Sequence, residues 1–177
     1  MNVLLVPGLG NSGPDHWMSH WEKALRAHRA EFDDWDDPVP ESWIARLDVE
    51  IAAAGRDVIL VAHSLGCATI AHWALTHRGP VRAAVLVAPP DVDSDVHVPA
   101  VVKRFAPMPT MPLPFPAIVV ASTDDPYADI GRAEVFAKNW GADFRSVGPK
   151  GHINAASNLG SWPEGRAILN RFVAGLG

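Results

Sequence analysis

Two kinds of apolar pattern alternate along the chain. Residues 3–6, 58–62, 81–88 and 117–122 are short, nearly continuous apolar runs, several of them closed by Pro, Gly or Ser, and 144–147 reads as a last strand. Runs of this length and character predict strands buried on both faces. Between them lie longer stretches in which apolar residues recur at helical spacing. Trp17, Trp21 and Leu25 fall at i, i+4 and i+8 and predict a helix over 14–28, opened by Pro14 and Asp15. Trp43/Ile44, Leu47 and Ile51 mark a second over 41–54, stopped by Gly55. Further helices are predicted over 65–77, 130–140 and 163–174. The segment 31–37 holds five acids in seven residues and reads as a short edge strand and loop with solvated carboxylates. Residues 91–116 show little periodicity and are interrupted by Pro99, Pro107, Pro109, Pro112, Pro114 and Pro116. So long a connection in a compact domain predicts a small lid or disorder. Strands alternating with helices predict an α/β fold with a parallel sheet, and no linker or repeat divides residues 1–177.

Composition narrows the function. A chain of 177 residues, 48% apolar and 20% charged, suits one globular domain. Net charge is −5 and the 15 Lys and Arg form no basic cluster, so no nucleic-acid partner is expected. No apolar stretch approaches the roughly 20 residues of a membrane helix, and the first apolar run is too short for a signal peptide. With a single cysteine, Cys67, no internal disulfide can form. These features predict a cytoplasmic protein without a membrane partner; a protein partner is left unknown.

The strand over 58–62 runs into Ala62-His63-Ser64-Leu65-Gly66, and a helix follows at once. A serine between small residues two before and two after, on a strand-to-helix turn, is the pattern of a nucleophile elbow. The turn projects the hydroxyl away from the backbone, and the next N–H, that of Leu65, points at the carbonyl under attack. Ala62 stands where glycine is usual, at the cost of one methyl. A serine nucleophile needs a base and an orienting acid, and loops at the carboxyl ends of strands supply both. The loop after 117–122 carries Asp124 and Asp125; the loop after 144–147 carries His152. Ser, Asp, His is the chain order of α/β-hydrolases. Asp125, three past Ser122, is the preferred acid and Asp124 suits a hydrogen bond within the loop, but spacing alone leaves both open. The oxyanion hole is expected from Leu65 N–H with Leu9 N–H, Gly10 being the alternative and a pocket residue.

The chain resembles the small serine-hydrolase family that includes retinoblastoma-binding protein nine. The likeness runs through Val6-Pro7-Gly8, His16-Trp17, Trp21, Asp34-Trp35-Asp36, Pro40 and Trp43. It continues through His63-Ser64-Leu65-Gly66, Ala88-Pro89-Pro90-Asp91 and Ser122-Thr123-Asp124-Asp125-Pro126-Tyr127. Trp140-Gly141, Gly151-His152-Ile153-Asn154 and Leu159-Gly160-Ser161-Trp162-Pro163-Glu164-Gly165 complete it. The resemblance implies the triad Ser64–Asp125–His152, a hydrolase activity with a poorly defined natural substrate, and a compact sheet without a large cap domain. By analogy with that fold, about six strands are expected in the order 2-1-3-4-5-6. Pocket-protein binding through Leu-x-Cys-x-Glu is not carried over, because Leu65-Gly66-Cys67-Ala68-Thr69 lacks the glutamate.

Three other readings compete with this one. Gly8-x-Gly10-x-x-Gly13 has the spacing of a dinucleotide fingerprint, but Pro14 and bulky Trp17 follow where a helix must pack closely. His16 and His20 are four apart, yet no adjacent general-base Glu or third ligand accompanies them, so no metal site is expected. A non-catalytic binding module of the same fold is the remaining alternative. His63 and His72 read as structural, and Cys67 as a small packing residue. The sequence therefore predicts a serine hydrolase, carboxylesterase-like, acting without cofactor or metal on small esters or related acyl compounds. Met108, Met111, Leu113 and Phe115 are expected to line the substrate pocket beneath 91–116.

Overall fold

A computed structural model describes residues 1–177. Six parallel strands form one sheet: β1 (Asn2–Val6), β2 (His28–Arg29), β3 (Val58–His63), β4 (Val81–Val87), β5 (Ala117–Ala121) and β6 (Asp143–Ser146). Their spatial order is β2-β1-β3-β4-β5-β6, as expected. Six helices connect them: α1 (Trp17–Leu25), α2 (Pro40–Ala54), α3 (Leu65–Thr76), α4 (Ala100–Lys103), α5 (Ile130–Trp140) and α6 (Pro163–Ala174).

The period of two along each central strand sorts its side chains onto two faces. Leu4, Val6, Leu60, Ala62, Ala84, Leu86, Ala117 and Val119 pack with Trp43, Leu47 and Ile51 of α2, with α3, and with Phe136 and Trp140 of α5. Val3, Leu5, Ile59, Val61, Val85, Val87, Ile118 and Val120 pack with Trp17, Met18 and Trp21 of α1 and Leu169 of α6. Both faces being covered is what makes each central strand read as a continuous apolar run. No helix is long and apolar enough to cross a membrane.

Several boundaries differ from expectation. α1 begins at Trp17 rather than at Pro14, because His16 has extended backbone (ψ 138°) and caps the helix through its imidazole. It ends at Leu25, where Arg26 (φ 51°) turns left-handed. That early stop frees His28–Arg29 to pair with β1. The second strand therefore lies here and not in 31–37. That acidic stretch is a loop: Asp34 has φ 48°, Asp37 N–H donates to its carboxylate, and Phe32 stacks on Trp43 with centroids 4.4 Å apart. Segment 91–116 contains α4 and is held down. Phe105 is fully buried, His72 Nε2–H donates to its carbonyl at 2.7 Å, and Arg132 of α5 bonds Asp91 and Asp93 at 3.1 and 2.6 Å.

Candidate active site

Ser64 stands between β3 and α3 with φ 54° and ψ −125°, a strained conformation for a non-glycine residue and the one an elbow requires. Two glycines make the turn possible. A methyl on Gly66 would lie 2.3 Å from the Val6 carbonyl oxygen and 2.7 Å from that of Pro7, so α3 can rest on the end of β1 only without one. A methyl on Gly8 would meet Ser64 Cβ at 2.9 Å and Leu65 N at 3.0 Å. The loop after β1 is thereby pressed against the elbow. Leu65, first residue of α3, has an N–H with no intrahelical acceptor, and Leu9 N–H has no partner in the protein. Cys67, one turn on, is fully buried; burial raises its thiol pKa well above the usual value, and its Sγ–H faces the Val87 carbonyl.

The loops after β5 and β6 are stitched to each other. Lys150 N–H donates to Ser122 Oγ at 2.8 Å, Gly151 N–H to Asp124 Oδ1 at 2.8 Å, and Ser122 Oγ–H to the same carboxylate oxygen at 2.7 Å. The Ser122 hydroxyl and then the Gly151 N–H lower the Asp124 pKa. Asp124 is therefore the brace between the loops, and Asp125 faces the imidazole. Both Asp125 oxygens lie 2.9 Å from His152 Nδ1, and His152 Nε2 lies 2.8 Å from Ser64 Oγ. A carboxylate can only accept, so it fixes the proton on Nδ1 and leaves Nε2 to accept from the serine. The Tyr127 ring meets His152 edge to face at 4.4 Å between centroids.

A row of imidazoles backs this arrangement. The His63 ring lies 4.9 Å from that of His152, and the His16 ring 4.7 Å from that of His63. His63 Nε2–H donates to the His152 carbonyl at 2.8 Å, tying the residue before the serine to the histidine's backbone. Burial first, then the charges of Arg29 and His152, lowers the His16 pKa to about 4. Burial, with His152 and His16, lowers that of His63 well below 6.5. Both stay neutral where the unfolded chain would protonate them. The unfolded state thus binds more protons between pH 6.5 and about 4, and stability falls as pH falls through that window. His16 alone should contribute on the order of 3 kcal/mol of this loss. Urea midpoints at pH 7 and 4.5 test it: the drop for wild type should exceed that for His16→Asn, and equal drops would refute the assignment.

A cavity of about 260 Å³ opens beside Ser64 and His152. Leu9, Pro90, Val98, Pro99 and Val102 give it an apolar side; Asn11, His16, His63 and Asn154 give it a polar one, with Tyr127 at the rim. The pocket residues expected from 91–116 are not there. Met108 is buried in the core, Leu113 and Phe115 pack on the same core, and Met111 is exposed. Gly10 is turned away, its N–H bonded to the Trp35 carbonyl. An aperiodic stretch carries no register to say which apolar residues face inward, and Val98, Pro99 and Val102 form the wall instead. Of the polar residues, Asn154 and Tyr127 lie within two positions of His152 and Asp125, which is a usable signal; His16 is marked only by the family likeness at His16-Trp17, because its N-cap place hides in a helical pattern. His16 and His20 do not converge: the first is buried and the second exposed. No group of three His, Cys, Asp or Glu residues is placed to hold a metal ion.

A parallel sheet in the order 2-1-3-4-5-6, with a serine on the elbow after its third strand, defines an α/β-hydrolase. The model for the family described as serine hydrolase matches residues 3–171, and the chain belongs to that family. A YdeN-like hydrolase from Pectobacterium atrosepticum is 30% identical, with TM-score 0.87 over 99% of this chain and 91% of its own. The ydeN gene product of Bacillus subtilis is 20% identical, with TM-score 0.78 over 97% and 98%. An esterase from a Rhodococcus species shares the fold at 15% identity, with TM-score 0.67 over 99% and 90%. No curated protein matches the chain in sequence.

Proposed function

We propose that the protein is a carboxylesterase-like serine hydrolase acting by acyl transfer on small-molecule esters. The observation that carries this reading is the continuous relay from Asp125 through His152 to Ser64, with links of 2.9 and 2.8 Å. Ser64 Oγ attacks the acyl carbon as its proton passes to His152 Nε2, and the imidazolium is stabilised by Asp125. The developing oxyanion lies against the N–H groups of Leu65 and Leu9, neither of which the fold otherwise uses. Collapse breaks the bond to the leaving group, whose oxygen takes the proton from His152. Water then attacks the acyl-enzyme, again giving a proton to His152, and release of the acid returns that proton to Ser64. The steps call for no metal or cofactor.

The cavity of about 260 Å³ is below the usual range for drug-sized ligands and suits a short acyl chain. Labelling with a fluorophosphonate, followed by a panel of 4-nitrophenyl esters from acetate to octanoate, tests the reading. Labelling with fastest turnover on the shorter members is expected. A folded wild-type protein that neither labels nor turns over any ester would remove it. Val102→Trp should push the preference further toward acetate by narrowing the apolar wall, and an unchanged preference would place the acyl group elsewhere.

A further inference from the structure

The cavity wall has an uneven hydrogen-bonding capacity. Asn11 Oδ1 accepts from Ser12 N–H at 2.7 Å and from the Arg29 guanidinium at 3.2 Å. Asn154 Oδ1 accepts from Ala156 N–H at 3.0 Å. Backbone donors force the oxygen assignment in both amides, so what each retains is the NH2 group. His16 Nδ1 accepts from Met18 N–H at 3.1 Å, which places the ring proton on Nε2. That Nε2 is buried without a partner, in a residue only 4% exposed that lines the cavity. A buried donor left unpaired costs about 1–3 kcal/mol, a cost a correctly placed ligand acceptor removes. His63 has its own N–H engaged by the His152 carbonyl. Besides the Tyr127 hydroxyl, which can donate or accept, the lining therefore holds three side chains with an unspent N–H, and no Asp, Glu, Lys or Arg.

We propose that the cavity selects a short acyl group bearing its own neutral oxygen acceptor, keto, ether or hydroxyl, and that His16 Nε2–H is the specificity-determining donor. The absence of a cation from the wall favours a neutral acceptor over a carboxylate, which would be desolvated unpaired. The Nδ2 groups of Asn11 and Asn154 supplement the His16 donor. The inference rests on the acyl-transfer reading above and goes further by naming the acyl class.

The test compares 4-nitrophenyl methoxyacetate with 4-nitrophenyl butyrate, equal in chain length but with an ether oxygen in place of one methylene. The ratio of their kcat/KM values, taken between wild type and variant, cancels the difference in intrinsic reactivity. His16→Asn keeps a side-chain oxygen to cap α1 and ends short of the Nε2 position. His16→Gln carries an amide N–H out to that position. The ratio should fall about tenfold in His16→Asn, mainly through KM, and return most of the way in His16→Gln. Asn154→Asp keeps the oxygen that caps residues 155–157, exchanges the donor for a charged acceptor, and should lower the ratio in the same direction. A capping role alone would lower both esters together, so an unchanged ratio in His16→Asn and Asn154→Asp overturns the proposal while leaving the hydrolase reading intact. A wild type that neither labels with fluorophosphonate nor hydrolyses either ester overturns both.

Discussion

Ser64→Ala and His152→Ala should each lower kcat by about a million-fold, and the double variant should lose no more than either single one. The relay explains the non-additivity. Without the hydroxyl at 2.8 Å, His152 Nε2 has no proton to accept; without the imidazole, the serine keeps its own. Asp125→Asn should cost about ten-thousand-fold. An amide can present its NH2 to Nδ1, which moves the ring proton to Nε2 and sets a donor against the serine hydroxyl. Asp124→Asn, one residue away, acts differently: it weakens the brace to Ser122 and Gly151 and should lower thermal stability more than it lowers turnover. Steady-state kinetics on a short ester with melting curves for the four single variants and the double variant decides the matter. If Asp124→Asn proved the more damaging to kcat, the roles of the two aspartates would be reversed.

The second large effect is structural. Gly66→Ala should destabilise the fold by roughly 3–5 kcal/mol, a large share of what a domain of this size possesses. The added methyl would sit 2.3 Å from the Val6 carbonyl oxygen and 2.7 Å from that of Pro7. Neither can retreat, because Val6 lies at the buried end of β1, which pairs with β2 on one side and β3 on the other. Relief would require lifting α3 off the sheet and carrying the elbow with it. Gly131→Ala is the control, since a methyl there meets nothing within 4 Å and alanine is the better helix former inside α5. A drop in Tm of about 10 °C is expected for Gly66→Ala, and a rise or no change for Gly131→Ala. If Gly66→Ala melted like wild type, the close approach of α3 to β1 would not be real.

The parts of the fold legible in the sequence were those whose burial is symmetric. β3, β4 and β5 are covered on both faces, so burial alone dictates nearly unbroken apolar residues, and their positions could be read directly. The edges obey weaker constraints. β2 has two residues and half its surroundings are solvent, so it left less trace than the acidic loop beside it. The bounds of α1 depended on backbone torsions at His16 and Arg26, which a periodic pattern does not encode. At the site, Ser64, His152 and the aspartate pair stood out because each follows a strand end. Choosing between Asp124 and Asp125 needed the hydrogen bonds, for the two are chemically identical and adjacent. Nothing in the order of Met108, Met111, Leu113 and Phe115 told core from cavity, whereas three dimensions put Val98, Pro99 and Val102 there instead.

The positions that meet at the relay are far apart in the chain, and that spacing bears on the order of assembly. Ser64 and its elbow lie within the first three strands, and the acid and base lie on loops that follow the fifth and sixth. A chain emerging from the ribosome can complete β1 to β4, whose Val87 carbonyl accepts from Ser64 N–H at 2.9 Å, and with them the strained serine, while residues 125 and 152 are still unmade. Until the last third docks against β4, the hydroxyl has no base beside it and is an ordinary alcohol. On the acyl-transfer reading, activity should therefore appear late in folding, and a nascent or truncated chain should carry Ser64 in an inert form.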